Sequence, residues 1–108
     1  MSVKDELYEF AIKMNSNREH IQNEKDRVYQ LNLDKSGSLQ IVLKDGKVEI
    51  VEGTPHEPDV ILILSDQNFS KLLKDELNTT LAFMTGSLKV EGKMGLALKL
   101  QEIVKKYQ

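Results

Sequence analysis

The longest uninterrupted apolar run in this chain is Val60-Ile61-Leu62-Ile63-Leu64. Five residues are far too few to cross a bilayer. A strand that does not alternate is covered on both faces, so this one is expected inside a sheet rather than at its edge. The rest of the chain must then supply strands to flank it and other elements to cover it.

The flanking strands are visible upstream. Tyr29, Leu31 and Leu33 alternate with Gln30, Asn32 and Asp34, the period of a half-buried strand. A turn at Lys35-Ser36-Gly37 leads to a second alternating set, Leu39, Ile41 and Leu43. Asp45-Gly46 separates that set from Val48 and Ile50. Asp-Gly between alternating runs marks a tight hairpin, because both of its residues take positive φ. These runs predict a three-stranded antiparallel meander with one apolar face and one wet face. The segment Gly53-Thr54-Pro55-His56-Glu57-Pro58 follows as an irregular connector, since both prolines disfavour regular structure.

Helical spacing accounts for most of the remainder. Val3, Leu7, Phe10, Ala11 and Met14 form one stripe, and residues 15–27 are polar around a single apolar anchor, Ile21. Ser65 suits the N-cap of a helix carrying Phe69, Leu72, Leu73 and Leu77. Asn78 or Thr79 would cap a second short helix with Leu81, Ala82 and Met84, closed by Gly86 in the left-handed conformation. Leu88 and Val90 alternate with Lys89 and Glu91 as a last strand, and a final helix runs from Met94 to Tyr107. The order is helix, three strands, one strand, two helices, one strand, one helix, which predicts an α+β domain spanning residues 1–108 around one mixed sheet.

Reaction chemistry finds little support. His20 and His56 are the two histidines, they lie in separate polar segments, and there is no cysteine. A metal site needs at least three convergent ligands, so neither a metal nor a disulfide framework is expected. No Gly-x-Ser-x-Gly elbow is present. Gly86, Gly92 and Lys93 miss the phosphate-loop spacing by one extra residue, and Met94 replaces the required hydroxyl. Carboxylates are numerous but spread over solvated faces, and nothing separates a pair of them into acid and base. A net charge of −2 with mixed signs argues against nucleic acid. The N-terminus lacks a basic stretch followed by an apolar one, so no secretory signal is expected and the cytoplasm is the expected compartment.

Apolar residues are thus the one concentrated signal. At about 100° per residue, Leu96, Leu100, Ile103, Val104 and Tyr107 share one face of the last helix. Met94 falls off that face, and Leu98 falls among Lys99, Glu102, Lys105 and Lys106. A helix that only packs on a core has no need of Leu98. Flexible thioethers at Met84 and Met94 add shape-tolerant apolar surface.

The run Asp59 to Asp66, then Phe69 and Leu72-Leu73, then Ala82-Phe83-Met84-Thr85-Gly86-Ser87-Leu88-Lys89-Val90-Glu91-Gly92, then Met94, Leu96-Ala97 and Lys99-Leu100, resembles the sterol carrier protein 2 (SCP-2-like) family. Residues 83–100 are the most specific part. The resemblance implies a five-stranded mixed sheet with helices packed over one face and an apolar tunnel between them. It implies non-catalytic carriage of a fatty acid, an acyl-coenzyme A, a sterol or another apolar-tailed lipid, with no cofactor. Residues placed near the tunnel by the match are Phe69, Leu73, Leu77, Leu81, Phe83, Met84, Leu88, Val90, Met94 and Leu98. Peroxisomal members end in a small residue, Lys and Leu, whereas this chain ends Lys106-Tyr107-Gln108, which resembles a prokaryotic stand-alone form. Expected partners are the lipid itself and, transiently, a membrane, with the protein a monomer or weak homodimer. The alternative is an interaction or accessory module that serves a lipid-related enzyme in trans.

Overall fold

The computed structural model describes residues 2–108. Helix α1 (Val3–Ser16) leads through a 3₁₀ turn at Arg18–His20 to strands β1 (Arg27–Leu33), β2 (Gly37–Lys44), β3 (Lys47–Glu52) and β4 (Val60–Leu64). Helices α2 (Asp66–Leu73) and α3 (Thr79–Thr85), strand β5 (Leu88–Gly92) and helix α4 (Met94–Lys105) complete the chain. Element order and class are as the sequence predicts. The five strands make one mixed sheet in the order β3-β2-β1-β4-β5. Only β1 and β4 run parallel; the other neighbours are antiparallel.

Register turns the alternating sequences into continuous apolar rows. Ile50, Ile41, Tyr29 and Val60 stand side by side across four strands, and Leu39, Leu31, Leu62 and Val90 form the next row. Leu33, Leu64 and Leu88 close the far end. Helix residues Leu7, Met14, Phe69, Leu72, Ala97, Leu100 and Val104 join these rows in one hydrophobic cluster. The hairpin between β2 and β3 has φ of 53° at Asp45 and 72° at Gly46, and a Cβ on Gly46 would lie 2.9 Å from the Gln22 Cα. That position accepts only glycine without strain.

Two expectations about the sheet need correction. Val60, Leu62 and Leu64 are buried, but Ile61 and Ile63 on the opposite face are only half-buried. The strand lies inside the sheet, one place from the edge, and its far face is not fully covered. The meander's second face is also not uniformly wet, because Gln30 and Gln40 are buried there. The connector from β3 must pass β2 and β1 to reach β4, and it crosses that face. Gln40 donates to the His56 carbonyl at 2.8 Å and accepts from the His56 amide at 3.1 Å. Gln40 also donates to Gln30 at 3.0 Å, and Gln30 donates to Asn32 at 3.1 Å. Primary amides suit this face because they satisfy both a passing backbone and one another.

Helix ends follow local rules. Ser2, Ser65 and Asn78 accept from the amides of Asp5, Asn68 and Leu81 and so cap α1, α2 and α3. Gly86 ends α3 at φ 84°. Asn15 pairs with both backbone groups of Val48, at 2.7 and 2.8 Å, and so ties the end of α1 to the edge strand β3.

Candidate functional site

Between the sheet and the helices lies a void of about 10 Å³, lined by Met14, Ile21, Tyr29, Ile41, Leu43, Val48, Leu100 and Ile103. Every lining side chain is apolar apart from the Tyr29 hydroxyl. Pockets for small molecules enclose roughly 300–1,000 Å³, so this core is closed and a ligand must displace side chains to enter. The wider depressions are open surface features, most of them with charged rims, though one of about 210 Å³ beside α3 is lined by uncharged residues that include Leu77, Leu81 and Ala82. One of the charged ones, of about 350 Å³, is lined by Asn15, Val42, Lys44, Asp45, Lys47, Val48 and Glu49.

A polar cluster borders the void. Strand alternation puts Arg27 on the same face as Tyr29, Leu31 and Leu33, at the strand's outer end. Its guanidinium donates to the Tyr29 hydroxyl at 3.3 Å and to the Glu24 carboxylate at 3.1 Å. Lys99, from α4, reaches the other oxygen of the same carboxylate at 3.2 Å. Burial pushes the Tyr29 phenol above its ordinary value, and the bond from Arg27 offsets only part of this. Burial works against the charge on Arg27, but its contacts with Tyr29 and Glu24 outweigh that and raise its pKa. One carboxylate thus bridges two cations beside an apolar void, and an exchangeable anionic head group would meet the same partners. A strand begun at Tyr29 leaves Arg27 out of the pattern; extending the alternation back by two residues includes it.

The ten residues singled out by family resemblance fall into three groups. Phe69, Leu73 and Leu88 are buried in the core. Leu77, Val90 and Met94 are half-buried against it. Leu81, Phe83, Met84 and Leu98 are exposed, with Met84 at 76 % and Leu81 at 56 %. The buried face of α3 consists instead of Thr79 and Ala82. Among the described residues no group of three His, Cys, Asp or Glu side chains is placed to hold a metal ion, and no helix is long and apolar enough to cross a membrane.

Comparison with known proteins completes the picture. The profile of the SCP-2 sterol transfer family matches residues 6–105. Hydroxysteroid dehydrogenase-like protein 2 of Xenopus laevis is 35 % identical over 97 residues, covering 87 % of this chain and 23 % of that protein. The chain spans about a fifth of the length of the curated relatives it matches. Palmitated SCP2L2 from Aedes aegypti superimposes with a TM-score of 0.70 at 25 % identity, covering 96 % of this chain and 95 % of that one. Apo sterol carrier protein 2 from Yarrowia lipolytica gives 0.64 at 27 % identity, over 98 % and 86 %. With nearly its whole length matched by the family profile and its sheet and helices shared with these structures, the chain belongs to the SCP-2 sterol transfer family.

Proposed function

We propose that this chain binds the apolar tail of a lipid between its sheet and its helices and carries it without a reaction. A fatty acid or fatty-acyl ligand is the favoured cargo. The observation that carries this reading is the void, lined by apolar side chains and Tyr29, beside the Arg27–Glu24–Lys99 cluster. In this reading the tail enters at the void and spreads along the sheet towards Phe69, Leu73 and Leu88, with Leu77, Val90 and Met94 at the margin. An anionic head group takes the place of Glu24 on Arg27 and Lys99. Each buried methylene contributes about 0.8 kcal/mol, so a long tail offsets the cost of parting the layers. The palmitated SCP2L2 structure, similar along nearly the whole chain, supports a fatty-acyl tail over a sterol. Transient membrane contact, a monomeric or weakly dimeric state and a cytoplasmic location accompany this reading.

The test begins with the purified protein, extracted with organic solvent and analysed by mass spectrometry, alongside titration with a fluorescent fatty acid. Recovery of lipid and saturable binding are expected; finding neither would sink the reading. Arg27→Ala is expected to weaken a fatty acid about tenfold, since bonds to charged groups are worth about 1.5–3 kcal/mol, while leaving its methyl ester nearly unaffected. Equal loss for acid and ester would remove Arg27 from the head-group site.

One observation favours a second reading. The relatives contain this region as about a fifth of larger proteins named as dehydrogenase-like. A carrier of this kind would present lipid to an enzyme in trans. A lipid-processing enzyme whose KM for lipid falls when the chain is added would support that role.

A further inference from the structure

The sheet closes one of its edges and leaves the other open. At β3, Asn15 of α1 occupies both backbone groups of Val48, and Lys4 pairs with Glu52. Strand β5 is the other edge. Among the described residues, no hydrogen bond other than those to β4 reaches the backbone of Leu88–Gly92. An unpaired edge is a template for a further strand, and folds blunt it with proline, with charge or with a covering element. β5 has no proline, and Lys89, Glu91 and Gly92 are exposed.

The charges on β5 do not guard it. Lys89 and Glu91 stand on the sheet face away from Leu88 and the core, opposite Ile63 and Ile61 of β4. Neither has an ion-pair partner among the described residues. A charged guard works by setting like charges against each other when two edges meet. In a two-fold antiparallel contact, each residue meets one on the same face, so the axis passes beside a residue and not between two. An axis beside Val90 is the one that pairs every residue of the strand. It sets Lys89 of each copy opposite Glu91 of the other, two attractive pairs on one face. It also sets Leu88 opposite Gly92, which brings no side chain. Axes beside Lys89 or Glu91 would set that residue against itself. Charge thus makes the strand complementary to its own copy in one register. Pairing of β5 with β3 of another copy would meet Asn15 and, being head-to-tail, would not close.

We infer that β5 is a dimerisation edge, on which two copies of this chain join antiparallel about an axis at Val90 to give one continuous sheet. The helices of both copies then lie on the same side of it. Helix α3 packs on β5, so its exposed apolar side chains, Phe83 and Met84 among them, come close to those of the copy. So short a strand contact falls below the roughly 1,200–2,000 Å² buried in a stable complex. The dimer is therefore weak and forms at high protein concentration. No residue of β5 lines the core void, so dimerisation and lipid carriage stand or fall separately.

Sedimentation equilibrium of the full chain over a concentration series is the experiment, with circular dichroism to confirm the fold of each variant. A monomer–dimer equilibrium that weakens with added salt is expected. Lys89→Glu or Glu91→Lys alone sets like charges opposite each other at both places and should weaken the dimer about tenfold or more. An equimolar mixture of the two variants should associate again, because one strand then carries two glutamates and the other two lysines. The double variant Lys89→Glu with Glu91→Lys should restore the homodimer. In the wild type, hydrogen exchange at the β5 amides should slow as concentration rises. A monomer at every concentration would overturn the inference. So would a dimer indifferent to both single reversals, or a mixture no more associated than either variant alone. A dimer whose β5 amides exchange at the monomer's rate would place the contact elsewhere and overturn it equally.

Discussion

Asp66 shows how much one side chain can organise. It opens α2, and its carboxylate accepts the amides of Lys35 and Ser36 at 3.1 Å each, together with the Ser36 hydroxyl. Its own amide donates to Asp34 at 2.9 Å. The turn between β1 and β2 is thereby locked to the start of the helix that follows β4. Burial pushes the Asp66 carboxyl up, but the hydrogen bonds from Ser36 and Lys35 outweigh it and hold the pKa below the ordinary value of about 3.9. A carboxyl whose folded pKa is depressed contributes stability that is present above the unfolded pKa and lost as the pH falls through the folded one. Asp66→Asn should therefore melt below the wild type at neutral pH, with the gap closing in acid. Melting curves between pH 7 and pH 3 check this, and a constant gap would contradict it. Gln40 makes a second case. Replacing it with Ala removes both bonds to the backbone of the exposed His56 and leaves the buried Gln30 carbonyl oxygen without its donor, and an unmet buried group costs about 1–3 kcal/mol. A loss of about 2–4 kcal/mol is expected in urea denaturation.

At the scale of elements, α3 is the weak member. It has seven residues, no charged groups in its terminal turns, and one buried alanine beside an unpartnered threonine. Its two ends hold it: the Asn78 side chain on the Leu81 amide at 3.0 Å, and Gly86 at φ 84°. Loss of an N-cap costs about 1 kcal/mol, a large share for a helix this short. Asn78→Ala should speed hydrogen exchange at the α3 amides while those of β1 and β4 keep their protection; uniform acceleration would show that α3 opens only with the whole fold. This element also marks where the sequence stops being legible. Strands β1 to β3 and both turns follow from alternation and Asp-Gly, because the pleat has period two whatever packs on it. The caps at Ser65, Asn78 and Gly86 are equally local. Helix periodicity, by contrast, tells which residues share a stripe but not which stripe the fold buries. In α4 the apolar stripe is wide enough to settle the matter, and Leu98 is exposed as its position among charges implies. In α3 the apolar residues Leu81, Phe83 and Met84 spread around the helix and set no inward side. Gln30 and Gln40 were hidden for a different reason: their burial depends on a connector that crosses from β3 to β4, and alternation says nothing of connectors.

For the molecule as a whole, the decisive quantity is how little space the core leaves. A void of about 10 Å³ approaches the room for one water, and its lining is too apolar to hold one. A protein that carries a tail from this state must spend part of the binding energy on parting its layers, so its apparent affinity is the intrinsic affinity reduced by the fraction of molecules already open. Leu100→Ala separates this from a preformed site. Leu100 lines the void from α4 and is buried. Truncating it enlarges the void, and Leu to Ala in a core costs about 2–5 kcal/mol. The variant should therefore melt earlier without lipid. A saturating fatty acid fills the space and restores contacts, so the rise in melting temperature on adding ligand should exceed that of the wild type, and the affinity should hold or increase. In a preformed pocket the opposite sign applies: the same truncation removes contacts from the bound tail, and affinity falls with the buried area lost. Paired melts and titrations of the two proteins read that sign directly, and a fall in affinity without a larger ligand-induced rise would show that the tail does not use this part of the core.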